Sequence, residues 1–515
     1  MNFFLNDQIV LHNSGIEHAE FDRLRLFNRN GQTAQIVTRN YSRQVTYYQE
    51  QAGLKVGELR NMFNFFQEAE QTPDRPLSDR QLPIFKGYEV TRHQNFTQIY
   101  DGSQHIAEIR CFTYSHSRVD WIRYFDRFGN VLHVDYYDWR GFLSMTQRFN
   151  GDGQVNAEWM FNPRGKRVYE SYYQINPQTN QRENSLLKLI DYHGRDLNFA
   201  NLTELFRFFL DELNQQTGKP NIFISDRRID LDEAMLTMHT PATKLVMIHS
   251  THSTQPDNQV TAPLNSVYET ALVDRLDQVD GLIVQTQAQR QDLLQRLAIS
   301  VPIYVIPSIV LTPTELSHRP RPLNDRPTNR LLCVARRFPE KRLDQAIIAL
   351  KQVRERYPDA TLELRGYGTA IIDQQLHQLV DQLGLVDAVQ FTDYTTDLTP
   401  VYESAQILLL TSETEGFARV LPQAQAHGLP IIAYDIHYGP REIIDQTTGV
   451  LVSDGNVSEL ATAINELLAQ SKRRQSMSQA AIDHAQQYGP LPIWRHWQEL
   501  LSAVTQPEGQ SLTDR

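Results

Sequence analysis

A turn motif recurs every twelve residues in the middle of this 515-residue chain, and it restricts the local fold more than any other feature. The motif is Asp or Asn, two variable residues and Gly, and it occupies residues 126–129, 138–141, 150–153 and 162–165. The Asp or Asn side chain accepts a hydrogen bond from the turn backbone, and Gly adopts the positive φ that ends the turn. About eight residues remain for a strand between neighbouring turns. Residues 84–195 are also rich in Tyr, Phe, Trp, Val and Thr with period-two alternation, so together these features predict an antiparallel β-meander over 84–195, whose edges and one face need covering.

Alternating strands and helices flank the meander on both sides. Before it come a short apolar strand at Phe3–Leu5, a helix from Ile16 and a strand at Ala34–Thr38. A second series of apolar strands, each followed by a loop and a helix, begins after a proline-rich passage at 307–327. These strands lie near Arg330–Val334, Thr361–Arg365, Val389–Phe391, Ile407–Leu410 and Pro430–Tyr434. Such alternation predicts parallel sheets covered by helices on both faces.

We therefore predict an α/β chain with two Rossmann-like domains, the first of which the meander interrupts. The predicted segments are 1–83 and 196–315 for the two parts of the N-terminal Rossmann-like domain, 84–195 for the inserted sheet, 316–490 for the C-terminal Rossmann-like domain and 491–515 for a C-terminal helix and tail.

Charge and cysteine content restrict the partners and the compartment. Lys and Arg number 50 against 61 Asp and Glu, so the formal charge of −11 argues against nucleic-acid binding or a polybasic membrane anchor. Cys111 and Cys333 are the two cysteines, which leaves no disulfide framework and no CxxC site and favours a reducing cytoplasm. The N-terminus lacks the features of a signal peptide, and no apolar run approaches the ~18 residues of a membrane span. We expect a soluble or peripheral protein.

Candidate binding residues follow the strands of the second series, because ligands of parallel sheets bind beyond the carboxyl ends of the strands. Residues 336–342 contain four cations, which suit a pyrophosphate or else form a solvated surface cluster. Gly366 and Gly368 would let a ligand approach the backbone, although a Gly-x-Gly is also common in plain turns. Glu415 could accept a sugar hydroxyl or serve as a charge at a helix start.

Other motifs argue against alternative chemistries. His249 and His252 follow a strand and lack the i, i+4 helical spacing of a zinc pair, so a polar sugar contact is the preferred interpretation for them. Asp230 and Asp232 are interpreted as a helix start. No Walker A sequence is present and no GxGxxG follows the first strand, which argues against an ATPase and a dehydrogenase.

Several segments, taken in order, resemble the retaining glycosyltransferases of family-4 type with the GT-B fold. They resemble in particular the teichoic-acid glycosyltransferases of the poly(glycerol-phosphate) and poly(ribitol-phosphate) type, which carry a β-rich insertion in the N-terminal domain. Related glycosyltransferases that modify serine-rich adhesins share this layout. The matching segments are Asn13–Ala19, Ile248–His249, Val284–Arg290, Ala335–Arg342, Tyr394–Thr396, Glu415–Gly416 and Ala433–Pro440.

The resemblance implies a role for particular residues. Arg336 and Lys341 would neutralise the diphosphate of UDP, His249 would touch the transferred sugar, and Glu415 would hold a sugar hydroxyl. Tyr394 would frame the uracil, and Gly15 would leave room for the donor or the acceptor. The implied catalytic residues are His249, Arg336, Lys341 and Glu415, and the implied donor-binding residues are Gly15, Arg336, Lys341, Gly366, Tyr394, Glu415, Gly416, Ala418 and Gln423.

The implied reaction is α-retaining transfer from UDP-glucose, or UDP-N-acetylglucosamine, to a hydroxyl of an anionic wall polymer, without a metal or another cofactor. Poly(glycerol phosphate) is the preferred acceptor. The inserted sheet would mediate homo- or hetero-oligomers or bind the acceptor, and the alternative is a purely structural cover. The expected location is the cytoplasm, including the inner face of the membrane, where wall polymers are lipid-linked.

The sequence departs from the family pattern around the donor site. Gln423 stands where a second glutamate normally accepts bonds from the ribose, Ala418 stands where glycine is common, and Arg419 stands where an apolar residue is common. Three further interpretations therefore stay open. The chain could be a weakened partner subunit that supports an active paralogue, a protein O-glycosyltransferase acting on adhesins, or another GT-B protein such as a nucleotide-sugar epimerase.

Overall fold

A computed structural model describes residues 1–82, 86–94, 96–115, 117–218, 220–227, 230–297 and 301–505. The chain divides into two compact units. Unit 1 comprises Met1–Asn13 and Thr33–Thr243, and unit 2 comprises Ser14–Gln32 and Lys244–Arg515. The predicted start of the insertion at residue 84 and residues 506–515 of the predicted tail lie outside the described residues.

Unit 1 contains a parallel sheet and a larger antiparallel one. Its parallel strands are paired in the order Ile222–Ser225, Asn2–Asn6, Ala34–Thr38 and Leu59–Asn61. Its helices are Val45–Gln51, Met62–Phe66, Leu202–Thr217 and Asp230–Leu236, the last beginning at the predicted residue. The strand at 59–61 was not predicted from the sequence, because three residues are too few for a recognisable periodicity.

The antiparallel sheet has ten strands, and each strand pairs with its neighbours in sequence. The strands are Glu89–Arg92, Phe96–Asp101, Gln104–Cys111, Val119–Phe125, Val131–Tyr137, Leu143–Phe149, Val155–Phe161, Arg167–Ile175, Arg182–Tyr192 and Arg195–Phe199. The predicted meander is thus confirmed, and the four predicted turns connect strands of this sheet with glycine at positive φ in each.

One of the four turns differs from the others because it is buried. Beside Gly129, Gly153 and Gly165 the space is open, whereas a Cβ on Gly141 would lie 2.1 Å from the carbonyl oxygen of Arg75. The turn at 138–141 therefore packs against the segment that precedes the sheet. The four turns have the same motif in the sequence. The burial of the turn at 138–141 could not be predicted from it, because that burial depends on a contact with Arg75, which is distant along the chain.

A buried ion pair holds this turn. The Arg140 guanidinium contacts the Asp138 carboxylate at 2.6 Å, and the two side chains are 4% and 2% exposed. Arg140 also donates hydrogen bonds to the Ala69 carbonyl and, at 3.1 Å, to the Asn64 side chain. The arginine thus links the sheet to the helix Met62–Phe66 and the residues after it.

The variant Asp138→Asn is expected to destabilise unit 1 by about 2 kcal/mol, because the guanidinium stays buried without a counter-charge. Chemical denaturation followed by tryptophan fluorescence measures the change. The control is Glu68→Ala, which removes an ion pair with Arg164 whose side chains are 57% and 80% exposed and should cost less than about 1 kcal/mol. Equal effects of the two variants would contradict the structural role of the buried pair.

Unit 2 begins with the helix Gly15–Arg29 and continues with three parallel strands in the order Thr243–Met247, Gly281–Val284 and Ile303–Val305. Ser14 caps the first helix in a reciprocal capping box with Glu17. Thr286 caps the helix Gln287–Arg296 by accepting from the amide of Gln289, as its position after a strand predicts.

A six-stranded parallel sheet follows in unit 2. Its strands, numbered one to six along the chain, are Arg330–Val334, Thr361–Arg365, Val389–Thr392, Ile407–Leu410, Ile431–Tyr434 and Gly449–Val452. Their spatial order is 3-2-1-4-5-6, the order of a Rossmann sheet. The helices of unit 2 after the first two are Pro313–Ser317, Leu343–Val353, Ala370–Leu383, Thr399–Tyr402, Val420–Ala426, Pro440–Ile443, Val457–Ala469, Ser471–Ala485 and Pro490–Thr505.

The core of this sheet explains why its strands were predictable. Leu331, Leu362, Ile407 and Ile432 are fully buried, as are helix residues such as Ile347. Continuous apolar runs of this kind are typical of strands covered on both faces. The α/β prediction with an antiparallel insertion is therefore confirmed. Among the described residues, no helix is both long and apolar enough to cross a membrane.

The proline-rich passage is more ordered than a plain linker. It contains the helix Pro313–Ser317, and Thr312 and Glu315 form its capping box. Leu323 and Arg326 are buried, at 4% and 3% exposure. The Arg326 guanidinium donates to backbone carbonyls of the C-terminal sheet domain, so the passage is anchored to it.

Candidate active site

The topological switch point of the six-stranded sheet positions the candidate site. The first strand, which ends at Val334, and the fourth strand, which ends at Leu410, are neighbours in the sheet. After the first strand the chain continues to the second strand on one side, and after the fourth strand it continues to the fifth on the other side. Ligands of doubly wound sheets bind in the crevice that forms there. The loops after both strands, residues 335–342 and 411–418, contain five of the ten predicted site residues.

An ion pair joins the two loops. The Lys341 ammonium lies 2.6 Å from the Glu415 carboxylate, and the two side chains are 15% and 16% exposed. The Ser412 hydroxyl donates to the same Glu415 oxygen at 2.7 Å. Lys341, predicted to bind phosphate, and Glu415, predicted to accept a hydrogen bond from a sugar hydroxyl, are thus in direct contact.

Backbone hydrogen bonds fix the spacing of these loops. The amide of Glu413 donates to the carbonyl of Glu340 at 2.8 Å, and the Thr411 hydroxyl donates to the carbonyl of Lys341 at 2.9 Å. The amide of Glu415 donates to the carbonyl of His437 at 3.0 Å. The carboxylate and the ammonium are therefore held by rigid backbone, which favours electrostatic catalysis.

The structure separates the four cations of residues 336–342 into two kinds. Arg337 makes a bidentate ion pair with Asp373, at 2.7 and 3.0 Å, and its side chain is 6% exposed. Arg342 pairs with Glu413 at 2.8 Å and with Asp454 at 2.7 Å. Both of these arginines are structural.

Arg336 and Lys341 are the remaining cations, and they differ in exposure. The Arg336 side chain is 42% exposed, contacts Glu340 only at 3.4 Å, and lies over the ring of Phe338 with 4.8 Å to the centroid. Lys341 has one carboxylate partner, Glu415, that the resemblance assigns to the substrate. The family pattern therefore selects the exposed Arg336 and Lys341, whose partner Glu415 is itself a predicted site residue.

Two glycines permit close approaches of backbone to backbone. A Cβ on Gly416 would lie 1.8 Å from the carbonyl oxygen of His249, so the Glu415 loop packs directly on the second residue after the strand Thr243–Met247. A Cβ on Gly366 would lie 2.0 Å from the carbonyl oxygen of Ala335, and its φ is +143°. Both positions need glycine because a side chain would displace the loops that they separate.

The N-terminal turn of the helix Gly15–Arg29 belongs to the same region of unit 2. The His18 imidazole lies 3.0 Å from the Tyr394 hydroxyl. Burial lowers the pKa of His18, and the Arg419 guanidinium lowers it further. Burial also raises the pKa of the Tyr394 hydroxyl. The His18 imidazole thus contacts the side chain of Tyr394, the residue predicted beside uracil.

His18 is a residue that sequence reasoning missed, although it lies inside the matching segment Asn13–Ala19. Its position on the first turn of a helix is a usable signal, since helix N-termini often contact anionic ligands. At Gly15 the role that the resemblance implies stays a prediction. A Cβ there would make an ordinary contact, 3.6 Å from the Arg419 side chain.

The departures from the family pattern have structural partners. Arg419 makes an ion pair with Asp22 at 2.8 Å and donates to the carbonyl of Ser308, so it ties the first helix to the loop after the third parallel strand. Ala418 is buried and has a φ of +65°, a conformation that explains why glycine is common there. The Gln423 side-chain oxygen accepts from the Tyr402 hydroxyl at 3.3 Å.

His249 and His252 do not act as a pair. His252 is fully buried, and its ring nitrogen lies 3.0 Å from the carbonyl oxygen of Gln259. Burial lowers the pKa of His252 to about 4. His252 is thus a structural residue, whereas His249 is half-buried beside Gly416.

Comparisons with known proteins agree with this geometry. Residues 316–484 match the model of the family "Glycosyl transferases group 1", and residues 88–190 match the model "GtfB middle domain". The solved structures with the same overall fold are GT-B proteins. The chain is therefore a glycosyltransferase of GT-B fold with a group 1 glycosyl transferase domain, as its sequence predicts.

Three similar proteins illustrate the relationship. The GtfA subunit of a UDP-N-acetylglucosamine–peptide N-acetylglucosaminyltransferase from Streptococcus gordonii is 24% identical over 95% of this chain and 96% of its own length. A poly(ribitol-phosphate) α-N-acetylglucosaminyltransferase from Staphylococcus aureus is 22% identical over 90% of this chain and 92% of its own. The pneumococcal O-GlcNAc transferase GtfA, solved with UDP and GlcNAc, has a TM-score of 0.82 at 20% identity and covers 98% of both chains.

Proposed function

We propose that the chain transfers a hexose from a UDP-hexose to hydroxyl groups of a teichoic-acid polymer with retention of the α-configuration. UDP-glucose and poly(glycerol phosphate) are the proposed donor and acceptor. The observation that carries the proposal is the Lys341–Glu415 ion pair at the switch point of the C-terminal sheet. This pair combines a cation for the leaving diphosphate with a carboxylate for the sugar.

The pair also suggests how the donor would bind. A diphosphate has more negative charge than a carboxylate, so it would draw the Lys341 ammonium away from Glu415. Glu415 would then be free to accept a sugar hydroxyl, with Ser412 still holding one of its oxygens. Arg336, on the more exposed side of the same loop, would supply the second cation. His249 would contact the sugar because its backbone already packs on Gly416.

In this proposal the chain's fixed cations stabilise the departing UDP without a metal ion. Charge develops on the leaving phosphate oxygen as the glycosidic bond breaks, and preorganised donors in a partly buried site are the effective way to stabilise it. Arg336 and Lys341 lie on the short segment after the first strand, which the bonds from Thr411 and Glu413 brace.

A second candidate is transfer of N-acetylglucosamine to hydroxyl groups of a protein. It is favoured by the near full-length similarity to the GtfA subunit from S. gordonii, whose name states a peptide acceptor.

The same name describes a subunit, and residues 88–190 match a middle domain named after GtfB. We propose that the ten-stranded sheet mediates assembly, with a second copy or with a related chain.

Mass spectrometry of products tests the proposal. The purified chain is incubated with UDP-glucose or UDP-N-acetylglucosamine and with either poly(glycerol phosphate) or a serine-rich peptide, in buffer containing a chelator. We expect a hexose increment on the polymer with UDP-glucose. An N-acetylhexosamine increment on the peptide alone would select the second candidate. No increment on either acceptor, from a folded chain that a paralogue activates, would identify a supporting subunit and contradict the proposal.

The variant Gln423→Glu is expected to tighten UDP binding about tenfold, because a carboxylate makes charge-assisted bonds to ribose hydroxyls worth about 1–2 kcal/mol more than an amide makes. The glutamate can still accept from the Tyr402 hydroxyl, so the fold should persist. Isothermal titration with UDP measures the affinity. The control ligand is inorganic pyrophosphate, which has no ribose and whose affinity should not rise; unchanged UDP affinity would remove Gln423 from the ribose site.

A further inference from the structure

Three side chains that the donor site does not use converge beside the C-terminal sheet of unit 2. They are His318, after the helix Pro313–Ser317; Glu403, after the helix Thr399–Tyr402; and His427, after the helix Val420–Ala426. One ligand atom from each lies within 4.8 Å of those of the other two. Two imidazoles and one carboxylate form a ligand set that zinc and related divalent ions prefer.

The separation of His427 and Glu403 suits two ligands of one metal ion, whereas His318 would have to move to become the third. The Nδ1 atom of His427 is 3.6 Å from Oε1 of Glu403, and the Nε2 atom of His318 contacts the same carboxylate oxygen. Two ligands that each lie about 2 Å from a tetrahedral zinc ion are about 3.3 Å apart. A small movement of the His318 side chain, which is 36% exposed, would open the space for the ion.

An unsatisfied atom points to a missing ligand. The His427 side chain is 4% exposed, and its Nδ1 atom is buried without a hydrogen-bond partner. Buried polar atoms normally have a partner, so this one needs an explanation. A hydrogen bond between His318 and Glu403 accounts for those two side chains, while the His427 Nδ1 atom, 3.6 Å from Glu403 Oε1, is left without a hydrogen bond. An ion between the three would satisfy all of them.

The surrounding residues hold the cluster in place. The Arg326 guanidinium donates to the carbonyls of Tyr402 at 3.2 Å, Ala405 at 3.3 Å and His427 at 2.7 Å. These bonds fix the backbone on both sides of Glu403 relative to His427. The Tyr402 ring stacks on the His427 imidazole, with centroids 5.3 Å apart and planes at 21°. Preorganisation of this kind is typical of ligand sites built on a rigid frame.

We propose that His318, Glu403 and His427 bind one divalent transition-metal ion, zinc in the first instance, with water completing the coordination. The ion fastens the proline-rich passage, through His318, to the ends of two helices of the C-terminal sheet domain. It is a structural ion, and the proposal is independent of the glycosyl-transfer function. Its effect is to stabilise the folded domain, since a ligand that binds only the native state raises its stability.

Metal binding to the full-length chain tests the site. The chain is stripped with a chelator, dialysed, and titrated with Zn²⁺, and bound zinc is measured by elemental analysis after removal of free metal. We expect one zinc per chain and a rise of about 3–6 °C in the midpoint of thermal unfolding. Titration with Co²⁺ should give the visible absorption bands of a low-symmetry nitrogen and oxygen site.

Variants distinguish this site from adventitious binding. His427→Ala and Glu403→Gln should each lower zinc affinity at least tenfold and abolish the thermal shift. Because His427 is buried and its removal could disturb folding, His318→Ala at the exposed end provides an independent test with the same expectation. His239→Ala, at an exposed histidine of unit 1, is the control and should bind like the parent chain. Zinc binding that is absent, or that persists in all three site variants, overturns the proposal.

Discussion

The variant Lys341→Ala is expected to lower kcat/KM for sugar transfer about 10³-fold, equivalent to about 4 kcal/mol of transition-state stabilisation. Two effects add in the same direction. The leaving diphosphate loses a cation in a site where the ammonium is 15% exposed, and the Glu415 carboxylate, 2.6 Å from that ammonium, loses its counter-charge. An uncompensated carboxylate then repels the incoming diphosphate. Steady-state kinetics with the acceptor established by mass spectrometry measure the loss.

Companion variants separate the catalytic charge from general electrostatics. Lys351→Ala removes a cation of the same kind from an exposed position on the helix Leu343–Val353, and it should leave kcat/KM within twofold of the parent. Lys341→Arg keeps the charge but changes its geometry, and should retain part of the activity. UDP affinity measured by titration should fall with Lys341→Ala in parallel. A Lys341→Ala chain with unchanged UDP affinity would remove this residue from the diphosphate site.

Local sequence patterns were sufficient for the regular parts of the fold. The strands Arg330–Val334, Thr361–Arg365 and Ile407–Leu410 have the predicted bounds, because each is a short apolar run between polar loops. The meander followed from its turn motif and from the period-two alternation of residues 84–195. The strand Gly449–Val452 was not predicted, because only three apolar residues follow its initial glycine. Hydrophobic periodicity is informative only over longer segments.

The candidate site shows where local patterns are insufficient. The sequence indicated a cluster of four cations, but it could not tell which of them bind a ligand. That distinction depends on partners far along the chain, such as Asp373 for Arg337 and Asp454 for Arg342. The contact of His18 with Tyr394 joins residues 376 positions apart, so it could not be predicted from local sequence either. Family resemblance selects Arg336 and Lys341, and their roles in binding the diphosphate stay predictions.

The variant Gly416→Ala is expected to lower transfer activity about 10²-fold or more. The new methyl group would lie 1.8 Å from the carbonyl oxygen and 2.6 Å from the carbonyl carbon of His249, and 3.0 Å from the Gln285 side chain. Two of these three atoms are backbone, so relief requires the Glu415 loop to move away from the strand that ends before His249. A displacement of about 1 Å between the sugar-binding carboxylate and its surroundings is enough for a loss of this size. Initial rates at saturating donor and acceptor measure it.

The matched control for this substitution is Gly151→Ala in an exposed turn of the ten-stranded sheet. A Cβ at Gly151 has no neighbour within 4 Å, so the same chemical change should leave activity and thermal stability near those of the parent. Circular dichroism of the Gly416→Ala chain must show a folded protein, because overpacking also costs about 1–3 kcal/mol of stability. Since Glu415 and His249 are assigned to the sugar and Lys341 to the diphosphate, activity should fall more than UDP affinity does. A folded Gly416→Ala chain with activity within threefold of the parent would show that the spacing between His249 and the Glu415 loop does not control catalysis.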